Sequence, residues 1–207
     1  MAPSEIAPLS VDGAWVITPA QFPDARGVFL EAYRADALAE VVGHRLEVAQ
    51  VNCSLSDAGV LRGVHFADVP PGQAKYVTCT AGAVFDVVVD LRVGSPTHGR
   101  WDAVVLDDVD RRAVYLSEGL GHAFLSLAPG STVTYLCSTA YDPAREHGVH
   151  PLDPALGIDW PTTGRDGSAL TWQLSAKDQA APLLASARDQ GLLPRLDAVV
   201  GHLAALA

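Results

Sequence analysis

The sequence predicts an all-β protein, an antiparallel sandwich or barrel with short helices at its periphery, mainly C-terminal. Three observations carry that prediction. Eight short strand-like runs follow one another between Glu47 and Ser138 with no helix among them, the pattern of layered or closed antiparallel folds. Turn signals separate the runs, at Ala81-Gly82, Gly94-Ser95-Pro96, Asp107-Asp108, Gly119-Leu120-Gly121 and Pro129-Gly130. In the longest run Phe85, Val87, Val89 and Leu91 share one face, and Asp86, Val88, Asp90 and Arg92 the other. One face is therefore core and the other mixed.

In chain order, a short strand is predicted over Val11–Ile17. Pro19 to Gly27 is turn-rich, and Phe22-Pro23-Asp24-Ala25-Arg26-Gly27 reads as a loop leading into the apolar run Val28-Phe29-Leu30. Ala35–Val42 has helical composition and stops at Gly43, a residue suited to the left-handed position after a helix. The eight strands are Glu47–Ser54, Val60–Phe66, Lys75–Thr80, Val84–Val93, Arg100–Leu106, Ala113–Leu116, His122–Leu127 and Thr132–Ser138. Beyond Tyr141, Pro143, Pro151, Pro154 and Pro161 forbid long regular elements. Leu174-Ser175-Ala176-Lys177-Asp178 then precedes a helical segment near Ala180–Gln190, closed by Gly191 and Pro194. A short helix over Leu196–Leu206 follows. With 207 residues the chain fits one domain over 1–207, its core about 11–194 and a helical tail over 195–207.

Composition narrows the classes. Hydrophobic residues at 49% and charged residues at 18% exclude wholesale disorder. No apolar run approaches the roughly 20 residues needed to cross a bilayer. Met1-Ala2-Pro3-Ser4-Glu5 lacks the basic and apolar regions of a signal peptide, which predicts a cytoplasmic protein with no membrane partner. A formal charge of −10 argues against nucleic acid as a partner. An anionic ligand would have to be held by a local cluster of Arg and Lys. Cys53, Cys79 and Cys137 are odd in number, far apart and within strand-like runs, which predicts buried free thiols rather than disulfides or zinc ligands.

One stretch organises the rest, Gly59-Val60-Leu61-Arg62-Gly63-Val64-His65-Phe66. It has the texture of a buried strand yet carries a guanidinium and an imidazole, which are costly to bury without partners. Lys75, His122 and Tyr135 repeat the violation inside other apolar runs, and several such violations point to a lined cavity. In a regular strand Arg62 and His65 face opposite sides. Gly63 between them is where a bulge or bend would turn both inward.

Further motifs are Asp24-Ala25-Arg26-Gly27, Gln50-Val51-Asn52-Cys53-Ser54, Phe85 to Arg92, Gly94-Ser95-Pro96-Thr97 and Ser117 to Phe124. The pattern closes with Asp153-Pro154-Ala155-Leu156-Gly157-Ile158-Asp159-Trp160-Pro161 and Leu174 to Asp178. With them the chain closely resembles the dTDP-4-dehydrorhamnose 3,5-epimerase family of cupin-type sugar-nucleotide epimerases, over about Val11 to Pro194. The resemblance implies a cupin jelly roll, a homodimer, no cofactor and no metal. The implied substrate is a dTDP-4-keto-6-deoxyhexose, inverted at the two carbons flanking a ketone.

That chemistry needs a base on one face, an acid on the other, and a cation or donor at the carbonyl oxygen. By resemblance His65 is the base; an imidazole with an ordinary pKa of about 6.5 is neutral at working pH and accepts a proton. Asp178 would fix its tautomer, although the residue also reads as a helix N-terminal acid. Lys75 reads either as a snorkelling strand-edge lysine or, by resemblance, as the cation at the ketone oxygen. Tyr135 reads either as a core tyrosine or, by resemblance, as the returning acid, its pKa expected to be lowered by a nearby cation. The resemblance also places Tyr141 and His122 near the sugar and gives Arg62 to a pyrophosphate or sugar oxygen. Arg26, Glu31, Gln50 and Asn52 match nucleotide-contacting positions, some reaching a neighbouring subunit's site.

One departure stands out: many relatives have Gln after the His-aromatic pair, and here Ala67 follows Phe66. This leaves open inversion at both carbons or at one, as in the related antibiotic-sugar 3-epimerases. Two other classes compete. A metal-dependent cupin oxygenase needs more clustered histidines than His65 and His122 supply. A non-catalytic sugar-nucleotide binder would not need base, acid and cation together.

Overall fold

A computed structural model describes residues 4–206; the remaining residues of the predicted 1–207 domain lie outside the described set. The chain begins with a hairpin of β1 (Glu5–Pro8) and β2 (Ala14–Thr18), where one strand over Val11–Ile17 is predicted. A second hairpin, β3 (Gln21–Asp24) and β4 (Gly27–Leu30), replaces the expected loop. Pro23 is tolerated there because this sheet has only two strands, so each is an edge. Helix α1 (Ala35–Val42) matches the prediction, ending at Gly43 with φ 88°.

The eight predicted strands all form, with ends shifted by at most three residues. They are β5 (Gln50–Ser56), β6 (Leu61–Ala67), β7 (Lys75–Ala81), β8 (Ala83–Asp90), β9 (Trp101–Asp107), β10 (Ala113–Leu116), β11 (Leu120–Ser126) and β12 (Ser131–Cys137). A short β13 (Glu146–Gly148) follows, which no propensity in Glu-His-Gly announces. The expected helix near Ala180–Gln190 forms only as α3 (Leu184–Asp189), and the motif expected to precede it forms a helix of its own, α2 (Ala176–Gln179). Pro182 separates them, since it lacks an N–H and disfavours helix at Ala181. Helix α4 (Leu196–Ala204) matches the predicted tail. Among the described residues, no helix is long and apolar enough to cross a membrane.

All pairings within the sheets are antiparallel. One sheet runs β1-β2-β10-β7-β12-β5 and the other β13-β6-β11-β8-β9. Their inner faces enclose a core of Val77, Cys79 and Val133 against Val84, Val88, Leu106 and Phe124. The outer face of the second sheet is covered as well. Val64, Val87, Val89 and Leu125 pack there under Leu156, Trp160, Leu184 and Leu193 of the proline-rich C-terminal segment. Helix α1 lays Leu38 on Tyr76 and Tyr115 on the outside of the first sheet. The mixed face of β8 therefore looks inward; its Asp86 and Asp90 are buried, as is Arg92 just beyond the strand. The cysteines are free; Cys79 and Cys137 are buried as expected, whereas Cys53 is exposed because it points outward from edge strand β5.

Candidate active site

A cleft of about 270 Å³ opens where the inner faces of β5, β7 and β12 meet β6, β13 and α2. Its shape depends on an irregularity in β6. His65 pairs with His122, yet Arg62 pairs with Phe124, so Gly63 and Val64 together oppose Ala123 alone. This bulge resets the alternation and turns both Arg62 and His65 into the cleft. Gly63 is required: its φ is +122°, and a Cβ there would stand 2.4 Å from that of Ala123. Arg62 is steadied by donating through Nε to Ser56 Oγ at 3.2 Å.

His65 and Asp178 meet through Nε2 and Oδ1 at 2.6 Å. Asp178 is delivered by α2, whose N-cap is Ser175, accepting from the Asp178 N–H at 3.1 Å. The cap is thus Ser175, and the Asp178 carboxylate is free to serve the imidazole. Burial opposes its charge, but hydrogen bonding from His65, the imidazole's charge, Ser175 and the Gly63 backbone hold it below the ordinary carboxylate value.

Lys75 opens β7 and is only 5% exposed, which removes the snorkelling alternative. Burial lowers its pKa, against the opposing pull of Glu146 and Cys137. Tyr135 faces the same cleft from β12, cross-strand from Asn52. Its pKa is raised, not lowered as the sequence reading expected. Burial and the neighbouring Cys137 outweigh Arg62 and a hydrogen bond from Asn52.

Asn52 and Tyr141 also line the cleft, and Tyr141 is 54% exposed. Gln50 lies one step back, donating to Asn52 Oδ1 at 2.7 Å and accepting from the Tyr141 N–H at 2.9 Å. His122 sits inside strand β11, directly opposite His65, but is not part of the cleft wall. Its Nε2 meets Asp86 Oδ2 at 2.8 Å, with both side chains buried. Arg26 and Glu31 are not brought to the cleft of their own chain. Arg26 is exposed at the β3–β4 turn, paired with Asp24, and Glu31 follows that hairpin beside Arg34.

Four cleft residues escaped the sequence reading: Gln73, Glu146, Ser175 and Lys177. Ser175 and Lys177 lie in a motif it did single out; Glu146 stands in a polar, proline-punctuated run that reads as solvated loop. Among the described residues, no three His, Cys, Asp or Glu side chains converge to hold a metal ion.

The family model for dTDP-4-dehydrorhamnose 3,5-epimerase matches residues 8–186, which include every cleft residue. The chain belongs to the dTDP-4-dehydrorhamnose 3,5-epimerase family. It is 62% identical over 189 residues to a dTDP-4-dehydrorhamnose 3-epimerase of Streptomyces niveus, covering 91% of this chain and 88% of the relative. A solved rmlC epimerase of Mycobacterium tuberculosis superposes with a TM-score of 0.93 at 53% identity, covering 98% of this chain and 100% of that one. A His-to-Asn, Tyr-to-Phe double mutant of ChmJ, a 3'-monoepimerase from Streptomyces bikiniensis in complex with dTDP, superposes with a TM-score of 0.90. It is 48% identical, covering 96% of this chain and 97% of that one. The cupin-type sandwich is thus the epimerase family's fold. A dTDP-4-dehydrorhamnose 3,5-epimerase of Mycobacterium tuberculosis is 57% identical over 187 residues, covering 90% of this chain and 91% of the relative. Relatives named for one inversion and for two thus both stand close, and identity alone does not separate them. Ala67, the departure from the pattern, lies cross-strand from Glu146 and lines a second cavity of about 210 Å³ that shares Glu146 with the cleft.

Proposed function

We propose that this chain converts dTDP-4-keto-6-deoxy-D-glucose to dTDP-4-keto-L-rhamnose, a step in deoxysugar biosynthesis. Protons are removed and returned at C3 and C5, the carbons flanking the C4 ketone. The observation that carries this reading is the His65–Asp178 pair at 2.6 Å in a cleft shared with Lys75 and Tyr135. With Nε2–H donated to Asp178, the imidazole keeps its lone pair on Nδ1, which takes the proton from carbon. The electrons left behind move onto the ketone oxygen as an enolate, and Lys75 stabilises that oxygen in a water-poor site. Tyr135 returns a proton to the opposite face; its raised pKa keeps the phenol protonated and ready to donate. No cofactor enters this scheme. The His-to-Asn and Tyr-to-Phe changes of the ChmJ mutant stand seventy residues apart, the separation of His65 and Tyr135 here, which supports the pairing of roles.

Arg62, Tyr141 and Asn52 hold sugar and nucleotide in this reading, with Gln50 orienting Asn52 from behind. His122 is paired with Asp86 outside the cleft wall and has no direct substrate contact in it. Arg26 and Glu31 serve a neighbouring subunit's cleft, so the enzyme is a homodimer and, by the sequence reading, cytoplasmic. Exposed Phe29 on the β3–β4 hairpin, and Val51 and Leu55 on edge strand β5, support such an assembly.

Incubation with dTDP-4-keto-6-deoxyglucose in heavy water tests the reading, with deuterium read at each carbon. Uptake at C3 and C5 with formation of the L-rhamno product is expected; no uptake at either carbon overturns it. The second reading, inversion at C3 alone, is favoured by the name of the Streptomyces niveus relative and by Ala67. It predicts label at C3 only.

A further inference from the structure

We propose that the hydrogen bond between His147 and Asp68 is a positioning device that holds the Glu146 carboxylate in the cleft. The proposal rests on the epimerase reading. Strand β13 is three residues long, lies at a sheet edge and pairs only with β6 among the described strands. So short an edge ladder opens easily by itself. Its residues alternate, so Glu146 enters the cleft while His147 projects to the other side. There His147 Nε2 meets Asp68 Oδ1 at 2.8 Å, and the ring packs on Phe66 at 5.5 Å.

The tie acts within one residue of Glu146. Asp68 directly follows Ala67, the cross-strand partner of Glu146. The Asp68 N–H donates to Arg145 O at 3.0 Å, and the Arg145 guanidinium donates to Pro70 O. At the far end Val64 and Val149 exchange backbone bonds at 3.0 and 2.9 Å. Glu146 is thus gripped from both sides by residues outside the cleft wall. The Asp68 side chain is 45% exposed, and a pair so wet adds little to global stability. Its effect is on where β13 sits.

What Glu146 does there is electrostatic. Lys75 is buried, and the charge of Glu146 favours its cationic form. The other titratable groups around Lys75 are Arg62 and His65 from β6, Tyr135 and Cys137 from β12, Lys177 and Asp178 from α2, and Tyr141. If β13 drifts, Lys75 loses its proton at lower pH, and the alkaline limb of kcat/KM moves down with it.

The test compares wild type with Asp68→Ala and with His147→Phe, which keeps a ring over Phe66 but loses the bond. Glu146→Gln and the Asp68→Ala/Glu146→Gln double variant complete the set. Each is assayed for the pH profile of kcat/KM on dTDP-4-keto-6-deoxyglucose and for melting temperature. The alkaline limb is expected to fall by half a pH unit or more in each single variant, and the double variant to fall no further than Glu146→Gln. An unmoved limb in Asp68→Ala, whatever its melting temperature, overturns the proposal, and so does a shift that adds to that of Glu146→Gln. If wild type does not turn over this substrate, the epimerase reading fails instead. Amide exchange over Glu146–Gly148 then decides the tie itself: a tenfold or greater increase in Asp68→Ala supports it, and unchanged exchange overturns it.

Discussion

His65 Nε2 and Asp178 Oδ1 lie 2.6 Å apart across 113 residues of sequence, joined by a strand bulge on one side and a four-residue helix on the other. Neither element is regular enough to arise from propensity alone. The bulge aims the imidazole, and the Ser175 cap fixes the turn that carries the carboxylate.

This division of labour predicts the outcome of Asp178→Asn. The cap belongs to Ser175, so the helix start survives, but an amide in place of the carboxylate can hold the imidazole in the wrong tautomer. Turnover is expected to fall by about 10²-fold or more, with a small change in melting temperature at neutral pH. The wild-type carboxylate has a folded pKa below its ordinary value of 3.8, so its stabilising contribution is full above that value and lost as pH falls through the folded pKa. Asp178→Asn should therefore lose this part of the acid dependence. Unchanged turnover would remove Asp178 from the site.

Tyr135→Phe is expected to separate exchange from inversion. The ring and its packing remain, while one face of the sugar loses its acid. His65 should still wash substrate hydrogen into solvent, with product formation reduced at least 10²-fold. Equal loss of both activities would make the hydroxyl a binding contact.

Much of this was legible in the sequence for one reason: a polar group inside an apolar run is expensive, so it marks a place where structure supplies a partner. Arg62, His65, Lys75 and Tyr135 all announced themselves in that way, and Gly63 announced the bulge. Glu146 did not, because an acid among Pro143, Arg145 and His147 looks solvated until β13 docks on β6. The direction of the Tyr135 pKa is hidden from sequence because burial, which the fold sets, outweighs the nearby Arg62 cation. The β3–β4 hairpin was hidden by Pro23, which excludes a central strand but not one in a two-stranded sheet.

Away from the cleft, Asp90 should be a main determinant of acid stability. Both side chains of the Asp90–Arg92 pair are at most 4% exposed. Burial works against the Asp90 charge, but bonds from Arg92, Ser95 and Thr97 overcome it and hold the pKa at about 2. The folded pKa is depressed, so the contribution is complete above about pH 4 and is lost as pH falls toward 2. It is on the order of 2 kcal/mol. Asp90→Asn should cost about 3–5 kcal/mol at neutral pH, because it leaves the Arg92 cation buried without its partner. Urea unfolding at pH 7 checks this, and a loss under 1 kcal/mol would mean that Arg92 finds water.

Lys75 presents the opposite case, a group whose proposed role opposes stability. Its folded pKa lies below the ordinary 10.5 because burial penalises the cation. Between those two values the unfolded chain holds a proton that the folded chain has lost. Stability therefore rises with pH across that window, and the full penalty is present below it. Lys75→Met keeps an unbranched side chain, one atom shorter, and removes the charge. It should stabilise the protein at neutral pH by roughly 1–4 kcal/mol, the range seen when buried charges give way to apolar residues. It should also flatten the rise in stability toward alkaline pH. Turnover should fall at least 10²-fold, because the enolate oxygen loses its cation. Paired melting and activity measurements across pH decide the matter. A variant that is less stable than wild type, yet as inactive, would show that the ammonium is already satisfied in the folded state and that its charge costs the fold nothing.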